Sequence, residues 1–168
     1  MQADYVRTLI IGNCGAGKSW LAERIARNLD ITAIDLDAIN WENGGYERAR
    51  DKDVAREIVR SAAAEPRWVI EGVYGWLAEQ AVGRATALIW LDLDVDKCLA
   101  ALKARGPSPG ANATLHAELI TWAAEYPTRQ NSSSLSGHHA LFSSFRRRKI
   151  RLHARNEVHD FLATAFAD

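Results

Sequence analysis

Short apolar runs alternate along this chain with segments whose apolar residues recur every three or four positions. The runs at 8–11, 32–36, 67–70, 86–93 and 149–153 predict strands. The helical spacing predicts helices over 19–29, 51–64, 76–82, 94–105, 115–126 and 156–166. In the helix over 19–29, Leu21, Ile25 and Leu29 share one face. Val54, Ile58 and Val59 point inward in the next helix, Val95, Cys98, Leu99 and Leu102 in the one over 94–105. Val158, Phe161, Leu162 and Phe166 do so in the closing helix. The segment 86–93 is the most continuous apolar run, which predicts a central strand buried on both faces.

Punctuation falls between these elements. Asn43-Gly44-Gly45 signals a turn, Pro66 and Pro127 interrupt, and Gly106-Pro107-Ser108-Pro109-Gly110 cannot continue a helix. The polar, Ser-rich stretch 131–139 reads as a loop or a frayed helix. Strand–helix alternation predicts a parallel sheet with helices on both faces, and residues 1–168 read as a single domain without repeats. Ligands of such sheets sit outside the carboxyl ends of the strands. That rule selects 12–19, 35–37 and 71–72.

The first of these segments is Gly12-Asn13-Cys14-Gly15-Ala16-Gly17-Lys18-Ser19, which fits G-x-x-x-x-G-K-[ST] without a mismatch. Its glycines let successive backbone N–H groups converge on one anion, and the helix N-terminus adds partial positive charge. Lys18 is expected to reach the β- and γ-phosphates of ATP, and the Ser19 hydroxyl to ligate Mg²⁺. With Trp20, the next residue, the octapeptide makes the expected nucleotide site.

Carboxylates stand at the other two strand ends. Asp35 or Asp37 could orient an acceptor hydroxyl, accept its proton or hold Mg²⁺ through water, unless the pair serves only as a turn or helix cap. Glu71 sits where an acidic residue near the metal is usual. Asp35, Glu71 and Ser19 are the candidate metal residues, with either carboxylate as the nearer one. Cys14, close to phosphates and a helix N-terminus, is either an oxidisable thiol of lowered pKa or a small neutral residue.

Composition narrows the function classes. Lys plus Arg and Asp plus Glu both number 21 in 168 residues, so no global basic field supports nucleic-acid binding. No apolar run reaches a membrane span, and Met1-Gln2-Ala3-Asp4 lacks a signal-peptide pattern. Cys14 and Cys98 suggest no disulfide framework, so a reducing, cytoplasmic setting is expected. No Asn-Lys-x-Asp segment supports a GTPase. His138-His139 has no neighbours at metal-ligand spacing, and Arg146 to Lys149 reads as a solvated basic run.

With these pieces in place, the chain resembles the adenylate-kinase-like branch of small phosphate-loop kinases, and within it the group known as "DNA topology modulation protein". The resemblance is carried by the phosphate loop, by Asp35-Leu36-Asp37-Ala38-Ile39-Asn40-Trp41, by Trp68-Val69-Ile70-Glu71-Gly72-Val73-Tyr74 and by Ala87-Leu88-Ile89-Trp90-Leu91-Asp92. It implies a three-layer α/β fold with strand order 2-3-1-4-5, and ATP-dependent phosphoryl transfer with Asp37 on the substrate side. The group usually has Asp where Glu71 stands, and a longer, more arginine-rich lid. Here the lid is expected near 105–114 and the acceptor-side loop near 40–50. Arg105 and Arg129 are the two candidates for the lid arginine that neutralises the transferred phosphoryl group. Related kinases place an arginine near Arg84 on the acceptor, against which stands a solvated helix end. Trp41 and Tyr46 could stack on an acceptor ring or pack into the core. The expected activity is kinase-type transfer to a small hydroxyl or phosphate acceptor, by a monomer or homodimer. The alternative is a nucleotide-binding regulatory module or slow ATPase.

Overall fold

The computed structural model describes residues 2–42 and 45–166. After a single 3-10 turn at Gln2–Tyr5, the strands are β1 (Arg7–Gly12), β2 (Ala33–Asp35), β3 (Trp68–Gly72), β4 (Ala87–Leu91) and β5 (Arg148–Leu152). The helices are α1 (Lys18–Asn28), α2 (Leu36–Asn40), α3 (Lys52–Ala64), α4 (Gly75–Val82), α5 (Val95–Arg105), α6 (Ala113–Ala124), α7 (Leu135–Ser144) and α8 (Arg155–Ala165). All strand pairs are parallel, in the order β2-β3-β1-β4-β5. The expected α/β fold and strand order are what the chain adopts. β1 is the middle strand; β4 lies one strand in from the edge, yet every residue of it is buried.

Alternate residues of each strand feed two cores, because side chains of a strand point to opposite faces in turn. Ile10, Val69, Ile89 and Leu91 pack with α1, α5 and α8 through Leu21, Ile25, Cys98 and Val158. Leu9, Ile11, Trp68, Ile70, Leu88 and Trp90 pack on the other side with α2, α3, α4 and α7. Each large side chain removed from water contributes about 1.5–3 kcal/mol. The two tryptophans expected in the core, Trp68 and Trp90, are at 1% and 0% exposure.

Three local expectations are corrected. On α3 the inward stripe is Ala55, Val59 and Ala63, while Val54 and Ile58 are 50% and 37% exposed. The stripe that faces the sheet is one residue round the helix, where two alanines permit close approach. The run 32–36 is not all strand: β2 stops at Asp35, whose carboxylate accepts from the Asp37 N–H and caps α2. The Ser-rich stretch leads into a full helix. Ser134 caps α7 by accepting from the Gly137 N–H, and Asn131 Oδ1 accepts from the Ser133 N–H. Polar residues that looked like loop material are spent on capping.

His138 of α7 is fully buried. Its Nε2–H donates to the Val73 carbonyl at 2.8 Å, which leaves Nδ1 to accept from the Tyr126 hydroxyl at 2.8 Å. Trp90 Nε1–H donates to the same hydroxyl at 3.3 Å. Burial drives the His138 pKa down to about 4, so the ring is a neutral strut between elements.

Arg84 keeps the exposed helix-end place that stood against an acceptor role, and the basic run gains partners. Arg84 donates to the carbonyls of Ala63 and Ala64, just ahead of the first residue of β4. That is the end of the sheet opposite the phosphate loop, so Arg84 does not reach an acceptor. The basic run is not simply solvated. Arg147 donates to the carbonyls of Gly83 and Ala85, Arg148 to the Tyr5 hydroxyl, and Lys149 to the Phe142 carbonyl. The Asn43-Gly44 part of the expected turn lies outside the described residues; around it, Trp41 and Ala49 form an antiparallel bridge.

Candidate functional site

The carboxyl ends of β1, β2 and β3 meet at the phosphate loop. Gly12, Gly15 and Gly17 have φ of 153°, 80° and 94°. At Gly15 a Cβ would run into the Cys98 carbonyl, so only glycine lets the loop lie on α5. Gly17 leads into α1 with no side chain capping the helix. The N–H groups of that first turn are therefore left to a ligand.

The loop is braced by its own residues. Asn13 Nδ2 donates to the Ala123 carbonyl of α6 at 3.0 Å, while its Oδ1 accepts from the Cys14 N–H at 2.8 Å. Ala16 is buried, and its N–H donates to the Asn13 carbonyl at 3.3 Å. Lys18 is buried, and Nζ donates to that same carbonyl at 2.8 Å. Arg155 of α8 donates to the Gly15 carbonyl at 3.2 Å. The Cys14 thiol does not have a lowered pKa: burial, only partly offset by Lys18, pushes it up to about 11. It is therefore a protonated, unreactive group at neutral pH.

Glu71, the last residue but one of β3, is in register with Ile10 of β1 and Asp35 of β2, and is 3% exposed. Its Oε1 accepts from the Ser19 hydroxyl at 2.6 Å. Burial pushes its pKa up to about 7; Lys18 and Ser19 pull it down, while Asp35 and Asp37 add to the rise. Asp37 is pushed up to about 6, first by burial and then by Asp35, against Lys18 and Arg105. One hydroxyl, one buried carboxylate and a nearby aspartate pair suit Mg²⁺, an oxygen-seeking ion that takes few protein ligands and fills its shell with phosphate and water. Among the described residues no cluster of three or more His, Cys, Asp or Glu could hold a metal by itself.

A cavity of about 440 Å³ opens beside the loop, lined by Cys14 and Asp37 and by residues of the acceptor-side loop and α6. Trp41 and Tyr46 belong to its wall rather than to the core. Sequence reasoning missed its other side: Tyr74, Leu115, Glu118 and Trp122. For the three on α6 the signal was the helical spacing of Leu115, Glu118 and Trp122 after the Pro107–Pro109 break, which puts them on one face; Tyr74 carried none. Gly106 ends α5 at φ 73°, and Asn112 Oδ1 caps α6 by accepting from the Leu115 N–H. A second cavity, about 220 Å³, lies on the other side of the loop against Ala16, Gly17, Trp20, Arg155 and His159. There the Arg24 guanidinium lies 3.5 Å from the Trp20 ring centre.

The two candidate arginines differ in commitment. Arg105 is exposed at the end of α5, close enough to Asp37 to lower that carboxyl's pKa. Arg129 stacks 3.8 Å from the Trp122 ring centre and donates to the carbonyls of Trp122 and Ser133. Its Nε is buried without a partner among the described residues.

No family model matches the chain, and no curated protein sequence matches it. Among solved structures it is similar to shikimate kinase from Bacteroides thetaiotaomicron, at 19% identity and a TM-score of 0.54, over 92% of each chain. An uncharacterized protein from Eubacterium ventriosum aligns with 97% of this chain and 99% of its own, at 15% identity and a TM-score of 0.49. The likeness to shikimate kinase is one of fold alone, a phosphate-loop kinase-like fold, and lends no support to the narrower "DNA topology modulation" group. Among the described residues no helix is long and apolar enough to cross a membrane.

Proposed function

We propose that this chain is an ATP-dependent phosphotransferase acting on a small acceptor. The observation that carries the proposal is the cavity shared by the phosphate loop, through Cys14, and by Asp37, whose carboxyl is held near neutrality. A phosphate site and a proton-accepting group open onto one space. The solved shikimate kinase of the same fold supports the reaction class by analogy.

ATP with Mg²⁺ would supply the phosphoryl group and the charge neutralisation that transfer requires. The backbone N–H groups of 15–19 and Lys18 would hold the phosphates; Ser19, Glu71 and Asp35 are the residues that would hold the cation. Trp20 and Arg155 flank the space on the donor side. Asp37 orients the acceptor hydroxyl and takes its proton as the oxygen attacks. Arg105, exposed at the end of α5 and near enough to act on Asp37, would have to swing inward to meet the transferred group, and Arg129 braces the Trp122 side of the cavity. Catalysis is then mostly positioning and electrostatics.

The test is a screen of labelled ATP against small alcohols and nucleoside monophosphates, comparing the unmodified chain with Asp37→Asn. Transfer to one acceptor class, reduced about a hundredfold or more in the variant, is expected. Saturable ATP binding with transfer to nothing would assign the chain as a nucleotide-binding module instead.

A further inference from the structure

The cavity beside the phosphate loop has a chemical bias of its own. One wall is aromatic. The Tyr46 and Trp41 ring centres are 6.1 Å apart, Trp41 Nε1–H donates to the Tyr74 hydroxyl at 3.2 Å, and the Tyr74 and Trp122 centres are 6.0 Å apart. Three separate parts of the chain thus supply one continuous surface: the acceptor-side loop, the β3–α4 turn and α6. Two carboxylates face the same space, Asp37 from α2 and Glu118 from α6, one turn before Trp122.

Among the described residues lining the cavity, none is Lys or Arg. The arginines nearby are directed elsewhere. Arg50 donates to the carbonyls of Ile39 and Trp41, and Arg129 to those of Trp122 and Ser133. Arg105 acts on Asp37 from outside the lining. His116 Nδ1, in the cavity wall, is buried without a hydrogen-bond partner among the described residues. A polar ligand group would satisfy it, as donor or acceptor according to the ring's tautomer.

These features sort acceptors by charge. A carboxylate or phosphate bound here would lose part of its water, meet no lysine or arginine in the lining and lie near two carboxylates, Asp37 and the exposed Glu118. A protonated amine gains a charge-assisted hydrogen bond from a carboxylate and attraction from the ring faces. The volume suits a molecule of small-metabolite size.

We propose that the acceptor is a hydroxylated amine with a flat or apolar face. Its hydroxyl lies at Asp37, and its ammonium lies toward Glu118 along the Trp41–Tyr74–Trp122 wall. The assignment of the hydroxyl end rests on the phosphotransferase reading above; preference for a cation in the cavity does not.

Three probes of matched shape test this by calorimetry without nucleotide: 2-amino-1-phenylethanol, 1-phenylethane-1,2-diol and mandelate. The amine is expected to bind about tenfold or more tightly than the diol, and mandelate more weakly than either. Glu118→Gln should bring the amine to the level of the diol and leave the diol unchanged. Mandelate binding as well as the amine, no measurable amine binding, or an amine affinity indifferent to Glu118→Gln would each overturn the proposal. If the amine binds as stated but the γ-phosphoryl group of ATP passes to no alcohol or nucleoside monophosphate, the phosphotransferase reading fails and the cavity assignment stands. If the γ-phosphoryl group passes to an anionic alcohol instead, with release of ADP, the cavity assignment fails and the phosphotransferase reading stands.

Discussion

The Ser19 hydroxyl donates to Glu71 Oε1 at 2.6 Å, joining the first turn of α1 to the end of β3. The carboxyl that accepts this bond is buried and pushed up to about pKa 7. A cation at this point would need Glu71 ionised. Mg²⁺-dependent ATP affinity is therefore expected to rise with pH through about 7. In Glu71→Gln that pH dependence should disappear and affinity should stay low throughout. Titrations of ATP with and without Mg²⁺ at several pH values measure both.

The same carboxyls make the ligand-free fold pH-sensitive. Glu71 and Asp37 have ordinary values of 4.5 and 3.8 and folded values of about 7 and about 6. Groups raised in this way contribute stability that is fully present below about pH 4 and is lost as pH rises through 6 to 7. At pH 8 Glu71→Gln should therefore stabilise the ligand-free protein by about 2 kcal/mol, while weakening nucleotide binding. Denaturant melts at about pH 5 and pH 8 test the sign.

His138 works in the opposite direction. Its pKa falls from 6.5 to about 4, so its contribution is present above 6.5 and lost as pH falls through 4. Nitrogen chemical shifts should report a neutral ring with the proton on Nε2 at pH 6. His138→Ala removes a buried ring and leaves the Tyr126 O–H and the Val73 carbonyl without those hydrogen bonds, at a cost of about 3 kcal/mol.

Gly15→Ala combines a positive φ with a collision against the Cys98 carbonyl. It should destabilise the chain by about 2 kcal/mol and abolish ATP binding. Gly17→Ala meets only the Arg155 guanidinium, 3.3 Å away at the end of a flexible side chain. It should cost about 1 kcal/mol, mostly from its backbone angle. Melting curves of the two variants, compared side by side, test the ranking.

What was legible in the sequence was whatever local rules dictate. The octapeptide announced its own turn, and the apolar runs of β1, β3 and β4 announced the buried sheet. Asp35 and Glu71 were recognisable as strand-end carboxylates, but not as residues in register with each other. Where tertiary packing chose between equivalent local patterns, the sequence was mute. Val54 and Ile58 form as good a stripe as Ala55, Val59 and Ala63, and only the closeness of the sheet decides between them. Ser134 looks like loop material until α7 is there to be capped. The cavity wall was the least legible part, because Trp41, Tyr74 and Trp122 are distant in sequence and meet only in the fold.

The central claim is that residues 12–19 hold the phosphates of ATP. Calorimetric titration of Mg²⁺-ATP into the unmodified protein and into Lys18→Ala tests it most directly, with circular dichroism confirming that the variant is folded. The account predicts saturable binding that weakens about tenfold to a hundredfold in Lys18→Ala, the worth of a charged hydrogen bond to phosphate. Equal affinity in the two proteins would contradict it.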